Sequence, residues 1–311
     1  MPIKIKSDLP ARETLEKENI FVMDEYRAMH QDIRPLEVLI MNLMPNKEET
    51  ETQILRKLSN SPLQVNVELL QTQSYTPTQV DASYLDSFYT TFDQIKDRKF
   101  DGMIITGAPL DYVKFEDVAY WKEMTEIFDW CETHVHCTFF LCWACYAALY
   151  YYYGLERYDR EEKLSGVYKH IVCKPTSPLF RGFDDIFWAP HSRAMGIAKE
   201  KIESVPELEL MAYSDEAGVA ISKTVDSHKF FVGLHAEYDK NTLKDEYFRD
   251  LNKGMHPKIP VNYFPDDDPT KEPIVNWRST GQLLYTNWLN YYVYQATPYN
   301  VLDIGNDVVK K

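Results

Sequence analysis

Residues 36–44, LEVLIMNLM, form an almost unbroken apolar run that Pro45 closes. A strand with one face in water alternates apolar and polar residues. A run without that alternation has to be covered on both faces, as a central strand of a parallel sheet is. The chain then repeats the pairing of apolar strand and amphipathic helix. Asn46 can cap a helix over residues 47–58, in which Ile54 and Leu58 share a face and Glu48, Glu49 and Glu51 suit the first turn. Val65, Val67 and Leu69 alternate as a second strand. Residues 83–95 place Leu85, Phe88, Phe92 and Ile95 at helical spacing, 102–106 (GMIIT) read as a buried strand, 117–133 as an amphipathic helix, and 137–141 as a further strand. This β-α-β-α-β-α-β-α order predicts a three-layer α/β fold with a mostly parallel central sheet. Ligands of such folds lie beyond the C-terminal ends of the strands.

The second half is less regular. Residues 163–173, 186–188, 208–213 and 219–221 read as short strands, and 230–234 (FFVGL) as another buried one. A helix is expected over 241–251, a Pro- and Asp-rich surface excursion over 257–273, and a last helix over 281–294 with Leu284, Trp288 and Tyr291 on one face. Residues 1–34 are polar and read as an arm over the surface, 35–300 as one domain, and 301–311 as a tail, frayed from 304 onwards. No repeat or linker interrupts the domain.

The strand at 137–141 runs into 143–153, which has no Gly or Pro and carries Ala144, Ala147, Ala148 and Leu149. Cys142 is the seam. A strand that turns sharply into a helix presents the seam residue at the sheet edge, where the helix N-terminus favours an anion and therefore a nucleophilic thiolate. Cys145 completes a C-x-x-C, but no second ligand pair accompanies it, so no metal site is expected. A thiol nucleophile needs a base and a group to orient that base. His235 follows the buried strand 230–234, and Glu237 lies two residues on; Asp239 is a second candidate orienter. His191, in the Ala189–Arg193 segment that reads as a site loop, competes with His235 as base. The Trp143 N–H is the natural oxyanion donor, with a second from the loop 107–111. The positions two before and two after such a nucleophile are usually small; here they are Phe140 and Ala144. Lys163 and Arg249 are candidates for binding an anionic substrate group.

Charge narrows the partners. With 34 basic against 48 acidic side chains and a net charge of -14, general affinity for nucleic acid or an anionic membrane is disfavoured. Any anionic cofactor needs a local basic pocket. No apolar run reaches membrane-spanning length, residues 1–19 lack a signal-peptide core, and five cysteines show no disulfide rhythm. A cytoplasmic protein with free thiols is expected. P-loop, G-x-G-x-x-G and H-E-x-x-H motifs are absent.

Residues 38–45 (VLIMNLMP), 60–65 (NSPLQV), 100–110 (FDGMIITGAPL), 118–121 (VAYW), 142–144 (CWA), 163–168 (KLSGVY), 181–184 (RGFD), 189–193 (APHSR), 237–239 (EYD) and 286–292 (TNWLNYY) together resemble the homoserine O-acyltransferases of bacterial methionine biosynthesis. These are the O-succinyltransferases and O-acetyltransferases built on the class I glutamine amidotransferase-like fold. The resemblance implies an acyl-thioester on Cys142, a general base at His235 with Glu237 as partner, and substrate contacts at Lys163, Ser192 and Arg249. It implies acyl-CoA as co-substrate with no permanently bound cofactor, L-homoserine as acceptor, and it suggests a homodimer. Family members usually read Gly-His-Pro-Glu-Tyr-Asp where this chain has Leu234-His235-Ala236-Glu237-Tyr238-Asp239. At the position of Asp111 the family associates glycine with succinyl and glutamate with acetyl transfer. An anion there repels the free carboxylate of succinyl-CoA and fills its space, so acetyl-CoA is the expected donor and succinyl-CoA the alternative. A glutaminase-like thiol hydrolase and a non-enzymatic ligand-binding protein are the rival classes.

Overall fold

The computed structural model describes residues 3–6, 8–17, 22–23, 34–75, 80–298 and 300–305. Its strands are β1 (Ile3–Lys4), β2 (Val22–Met23), β3 (Leu36–Met41), β4 (Val65–Leu70), β5 (Tyr89–Thr90), β6 (Phe100–Ile105), β7 (Val135–Leu141), β8 (Tyr158–Val172), β9 (Ile186–Gly196), β10 (Leu208–Ser214), β11 (Gly218–Thr224) and β12 (Lys229–Val232). Its helices are α1 (Ala11–Lys17), α2 (Lys47–Ser59), α3 (Ala82–Phe88), α4 (Phe92–Ile95), α5 (Trp121–His134), α6 (Trp143–Tyr153), α7 (Lys199–Glu203), α8 (Thr242–Asn252) and α9 (Arg278–Asn287). All the strands join one sheet in the order β2-β1-β4-β3-β6-β7-β12-β11-β10-β8-β9, with β5 beside β4. From β2 to β12 the pairings are parallel. From β12 to β9 they are antiparallel.

The unbroken apolar runs are buried on both faces, as their lack of alternation requires. Val38 and Ile40 of β3 join Phe139 and Leu141 of β7 in one core cluster, while Leu39, Met41 and Phe140 join the cluster on the opposite face. β7 and β12 run side by side, Leu141 opposite Val232, so the chain leaves both at one edge. Cys142 and His235 therefore start from adjacent points, although β8 to β11 lie between them in sequence.

Several expectations change. Residues 83–95 are not one helix. Tyr89 and Thr90 pair with β4, and Thr91 opens α4 with a capping box to Gln94. Asn46 makes no side-chain cap; its amide donates to Glu49 at 2.6 Å instead. The strand expected over 186–188 continues to Gly196, so Ala189–Arg193 is strand, not loop, registered against β8 with Ser192 opposite Ser165. The expected surface arm contributes to the interior: β1 pairs with β4, and Ile5, Leu9, Ala11 and Leu15 are buried in the main core. The excursion 257–273 is anchored by buried Tyr263 and Phe264 packed with Trp277. Past α9 the chain widens into π-helical turns, Trp288–Tyr294, in which Tyr292 is buried in the core and Tyr291 packs against it partly buried. Ile304 is buried, and the rest of the expected frayed tail, 306–311, lies outside the described residues. No helix among the described residues is long and apolar enough to cross a membrane.

Candidate active site

Cys142 stands where β7 becomes α6. Its backbone has φ 45° and ψ -113°, a region that residues with side chains rarely adopt. Such a residue costs about 1–3 kcal/mol and persists only when its surroundings hold it. The hold here is a bond from the Cys142 N–H to the Val232 carbonyl, 2.7 Å, which ties the elbow to β12. Phe140 does not crowd the elbow, because it turns away into the core and stacks on Phe231. Room beside the thiol comes from Gly107, at the end of β6. A Cβ at that position would lie 3.2 Å from Cys142 Cβ, 3.8 Å from Sγ and 3.6 Å from the Trp143 nitrogen. The loop expected to supply an oxyanion donor thus touches both the nucleophile and the first donor, and only glycine leaves the space open.

His235 Nδ1 and Glu237 Oε1 are 2.6 Å apart, both side chains buried. With Nδ1 taken, Nε2 remains for Cys142, the neighbour whose charge acts most on the imidazole. Burial opposes a charged imidazole, but the Cys142 thiolate and then the Glu237 carboxylate outweigh it and raise His235 well above its ordinary value. Tyr238 stacks on the ring at 4.1 Å between centroids. Asp239 and His191 are engaged elsewhere. Asp239 pairs with Arg56 at 2.6 Å. His191 has both ring nitrogens occupied, receiving Arg193 Nε at Nδ1 (3.3 Å) and meeting His170 Nε2 at 2.9 Å.

These two histidines have a consequence for pH. Burial holds His191 well below its ordinary value and brings His170 from 6.5 down to about 3. Between those limits the unfolded chain binds protons that the folded chain refuses, so stability rises with pH across that window and is lost on acidification. The expected slope is up to ~1.4 kcal/mol per pH unit for each histidine. Urea unfolding followed from neutral pH towards pH ~5 checks this, and His170→Phe should flatten the dependence.

The expected substrate residues converge. Ser192 Oγ and Lys163 Nζ (3.3 Å) both donate to Glu246 Oε2, and Tyr238 OH donates to Oε1 at 2.9 Å. Lys163 also lies 3.6 Å from Asp250, which receives Arg249 at 2.8 Å. Glu246 and Asp250 were not singled out from the sequence, although Glu246, Arg249 and Asp250 sit at i, i+3 and i+4 on α8. A cavity of about 290 Å³ opens between Gly107, His235, Glu246 and Arg249. A larger one, about 460 Å³, lies by β4 and the N-terminal segment, lined by Leu9, Asn66 and Arg98 without a nucleophile. Asp111 Oδ1 accepts the Ala194 N–H at 3.0 Å. Burial raises its carboxyl, opposed by that bond and by Lys163, Arg157 and Arg193.

The sequence model of the homoserine O-succinyltransferase family matches residues 2–299. The chain belongs to this family. It is an acyltransferase. A homoserine O-acetyltransferase of Thermotoga neapolitana is 56% identical over 304 residues, covering 98% of this chain and 100% of the relative. One from Acetivibrio thermocellus is 53% identical over the same shares, and one from Methanomethylophilus alvi is 55% identical over 99% of each chain. Among solved structures, a glutamine amidotransferase from Thermotoga maritima aligns with TM-score 0.54 at 12% identity over 83% of this chain and 98% of its own. Another from Methylobacillus flagellatus aligns at 0.52, with 11% identity over 86% and 99%. At that identity the two show the fold alone, and the expected class I glutamine amidotransferase-like architecture is the one found.

Proposed function

We propose that this homoserine acyltransferase takes its acyl group from acetyl-CoA and carries it as a thioester on Cys142. The observation that carries the mechanism is a thiol at a strained elbow, at the strand edge it shares with an imidazole whose Nδ1 meets Glu237 at 2.6 Å. The thiolate attacks the thioester carbonyl of acetyl-CoA while the Trp143 N–H and the Gly107 loop receive the developing oxyanion. The bond to the CoA sulfur breaks, and that sulfur leaves with the proton of His235. Cys142 is now a neutral thioester. The charge that most raises His235 has gone, so the imidazole is neutral and fit to act as base. It takes the proton of the homoserine hydroxyl, the oxygen attacks the thioester, and the departing Cys142 thiolate restores the ion pair. Arg249 suits the acceptor's carboxylate. The five cysteines are free thiols, as a reducing cytoplasm keeps them.

Asp111 supports the acetyl donor, as do the names of the relatives. The opposing reading, succinyl-CoA, draws on the three cations near Asp111 that can face a second carboxylate. Incubation with each donor in the absence of homoserine, followed by mass analysis of the Cys142 peptide, separates the two. An acetyl adduct exceeding the succinyl adduct is expected. A predominant succinyl adduct would overturn the donor, and no adduct from either would overturn the covalent route.

A further inference from the structure

The turn that carries the base, His235 to Asp239, is closed by the Tyr238 N–H bond to the His235 carbonyl, 3.3 Å, and tied to β9 by the His235 N–H bond to the Pro190 carbonyl, 2.8 Å. Ala236 stands between base and orienter, and both flanking side chains, Leu234 and Ala236, are buried. Its other side rests against one face of a distant helix. Trp277, the residue that opens α9, donates its indole Nε1–H to the Tyr238 carbonyl at 2.9 Å. Four residues on, Gly281 lies against the Ala236 carbonyl so closely that a Cβ would come within 2.3 Å of the oxygen. Four further on, the Tyr285 hydroxyl donates to Glu237 Oε2 at 3.5 Å. Positions 277, 281 and 285 share a helical face. They meet three successive residues of the turn, and Trp277 and Tyr285 are fully buried.

We propose that the Trp277–Gly281–Tyr285 face of α9 positions the catalytic turn, with Tyr285 as the positioning residue that fixes the Glu237 carboxylate. Glu237 has two oxygens to place. Oε1 meets His235, so the rotation of the carboxylate about that contact is set by what holds Oε2. Tyr285 supplies that second point. Its hydroxyl is held in the donor role because burial and the adjacent Glu237 carboxylate raise it well above the ordinary phenol value. Lys57 reaches the same spot from α2: its Nζ is 3.3 Å from where a Gly281 Cβ would be, and burial lowers its ammonium to about 8 with Glu237 the foremost anion opposing that shift. Glycine at 281 is what lets the helix backbone, the turn and the lysine meet.

The inference deepens the acetyltransferase reading and rests on it, and its test is arranged so that the two fail separately. Tyr285→Phe keeps the buried ring and removes the hydroxyl. In the full-length enzyme, kcat for acetyl transfer to homoserine should fall about tenfold, with KM for both substrates within about twofold of wild type. The low-field proton resonance of His235 Nδ1–H should shift or broaden, and Tm should stay within about 2 °C. Gly281→Ala, which drives a methyl group into the Ala236 carbonyl, should lower kcat further. A Tyr285→Phe enzyme with unchanged kcat and an unshifted imidazole proton would overturn the positioning role. So would a loss of kcat matched by a fall in Tm with that proton in place, since that is destabilisation alone. A wild-type enzyme that forms no acetyl adduct would overturn the underlying reading instead.

Discussion

Cys142→Ser enzyme is expected to lose acetyl transfer by ~10³-fold or more, with no acetyl adduct detectable on the protein. The reason lies in charge as much as in nucleophilicity. The thiolate is the foremost influence that raises His235, so a serine, neutral at the same place, dissolves the ion pair that primes the first step. Its alcohol then has to be deprotonated by an imidazole no longer charged by its neighbour. An ester on serine is also a poorer donor than a thioester, so the second step suffers as well. Serine fits the elbow without new contacts, and its backbone meets the same φ of 45°. Folding stability should therefore stay close to wild type, which isolates the chemical loss. The check is release of CoA thiol from acetyl-CoA with and without homoserine, beside thermal unfolding. Retention of more than about a tenth of wild-type turnover would remove Cys142 from the covalent role.

The second large effect is expected at Asp111→Gly: the ratio of kcat/KM for succinyl-CoA to that for acetyl-CoA should rise by ~10²-fold. Two unit charges about 4 Å apart interact by ~4 kcal/mol at an effective dielectric near 20. Even half of that, set against the carboxylate of a succinyl group, is a factor of ~30. Asp111 also accepts the Ala194 N–H. Its removal frees that donor and takes away one negative charge from the neighbourhood of Lys163, Arg157 and Arg193. The incoming succinyl carboxylate would take its place. Asp111→Asn separates the two contributions, because it removes the charge and keeps the bulk. If the donor ratio in Asp111→Gly equals that of wild type, the choice is made elsewhere.

Much of this could be read from the chain, for identifiable reasons. Unalternated runs such as 36–44 and 137–141 declare two-sided burial, and the seam between 141 and 143 declares an elbow, because both signals are local. That Cys142 and His235 leave the sheet at adjacent points needed only the rule that parallel strands end at one edge. Other features were hidden because they depend on pairing. The continuation of β9 through Ala189–Arg193 is fixed by β8 across the hairpin, and Pro190 in its middle reads as a loop residue until its carbonyl is seen accepting the His235 N–H at 2.8 Å. The break at Tyr89 depends on β4, while the Thr91 and Gln94 capping box was legible and overrode the helical spacing of Phe88 and Phe92. Glu246 carries no signal of its own in the sequence; only the approach of Lys163 from β8, Ser192 from β9 and Tyr238 from the turn after β12 makes it a hub.

Because β12 lies directly against β7, the antiparallel strands β8 to β11 are a detour between two neighbours. The thiol and the imidazole belong to the adjoining parallel strands. Lys163, Ser192 and Arg193 belong to the detour. A division of this kind lets ancestry tinker with what is recognised while the reactive pair keeps its footing: the detour can lengthen, shed a bulge or exchange its side chains without the base losing sight of the nucleophile. Contacts made through Lys163 and Ser192 can then be rewritten in a peripheral hairpin while Asp111 and Arg249, outside it, stay as they are.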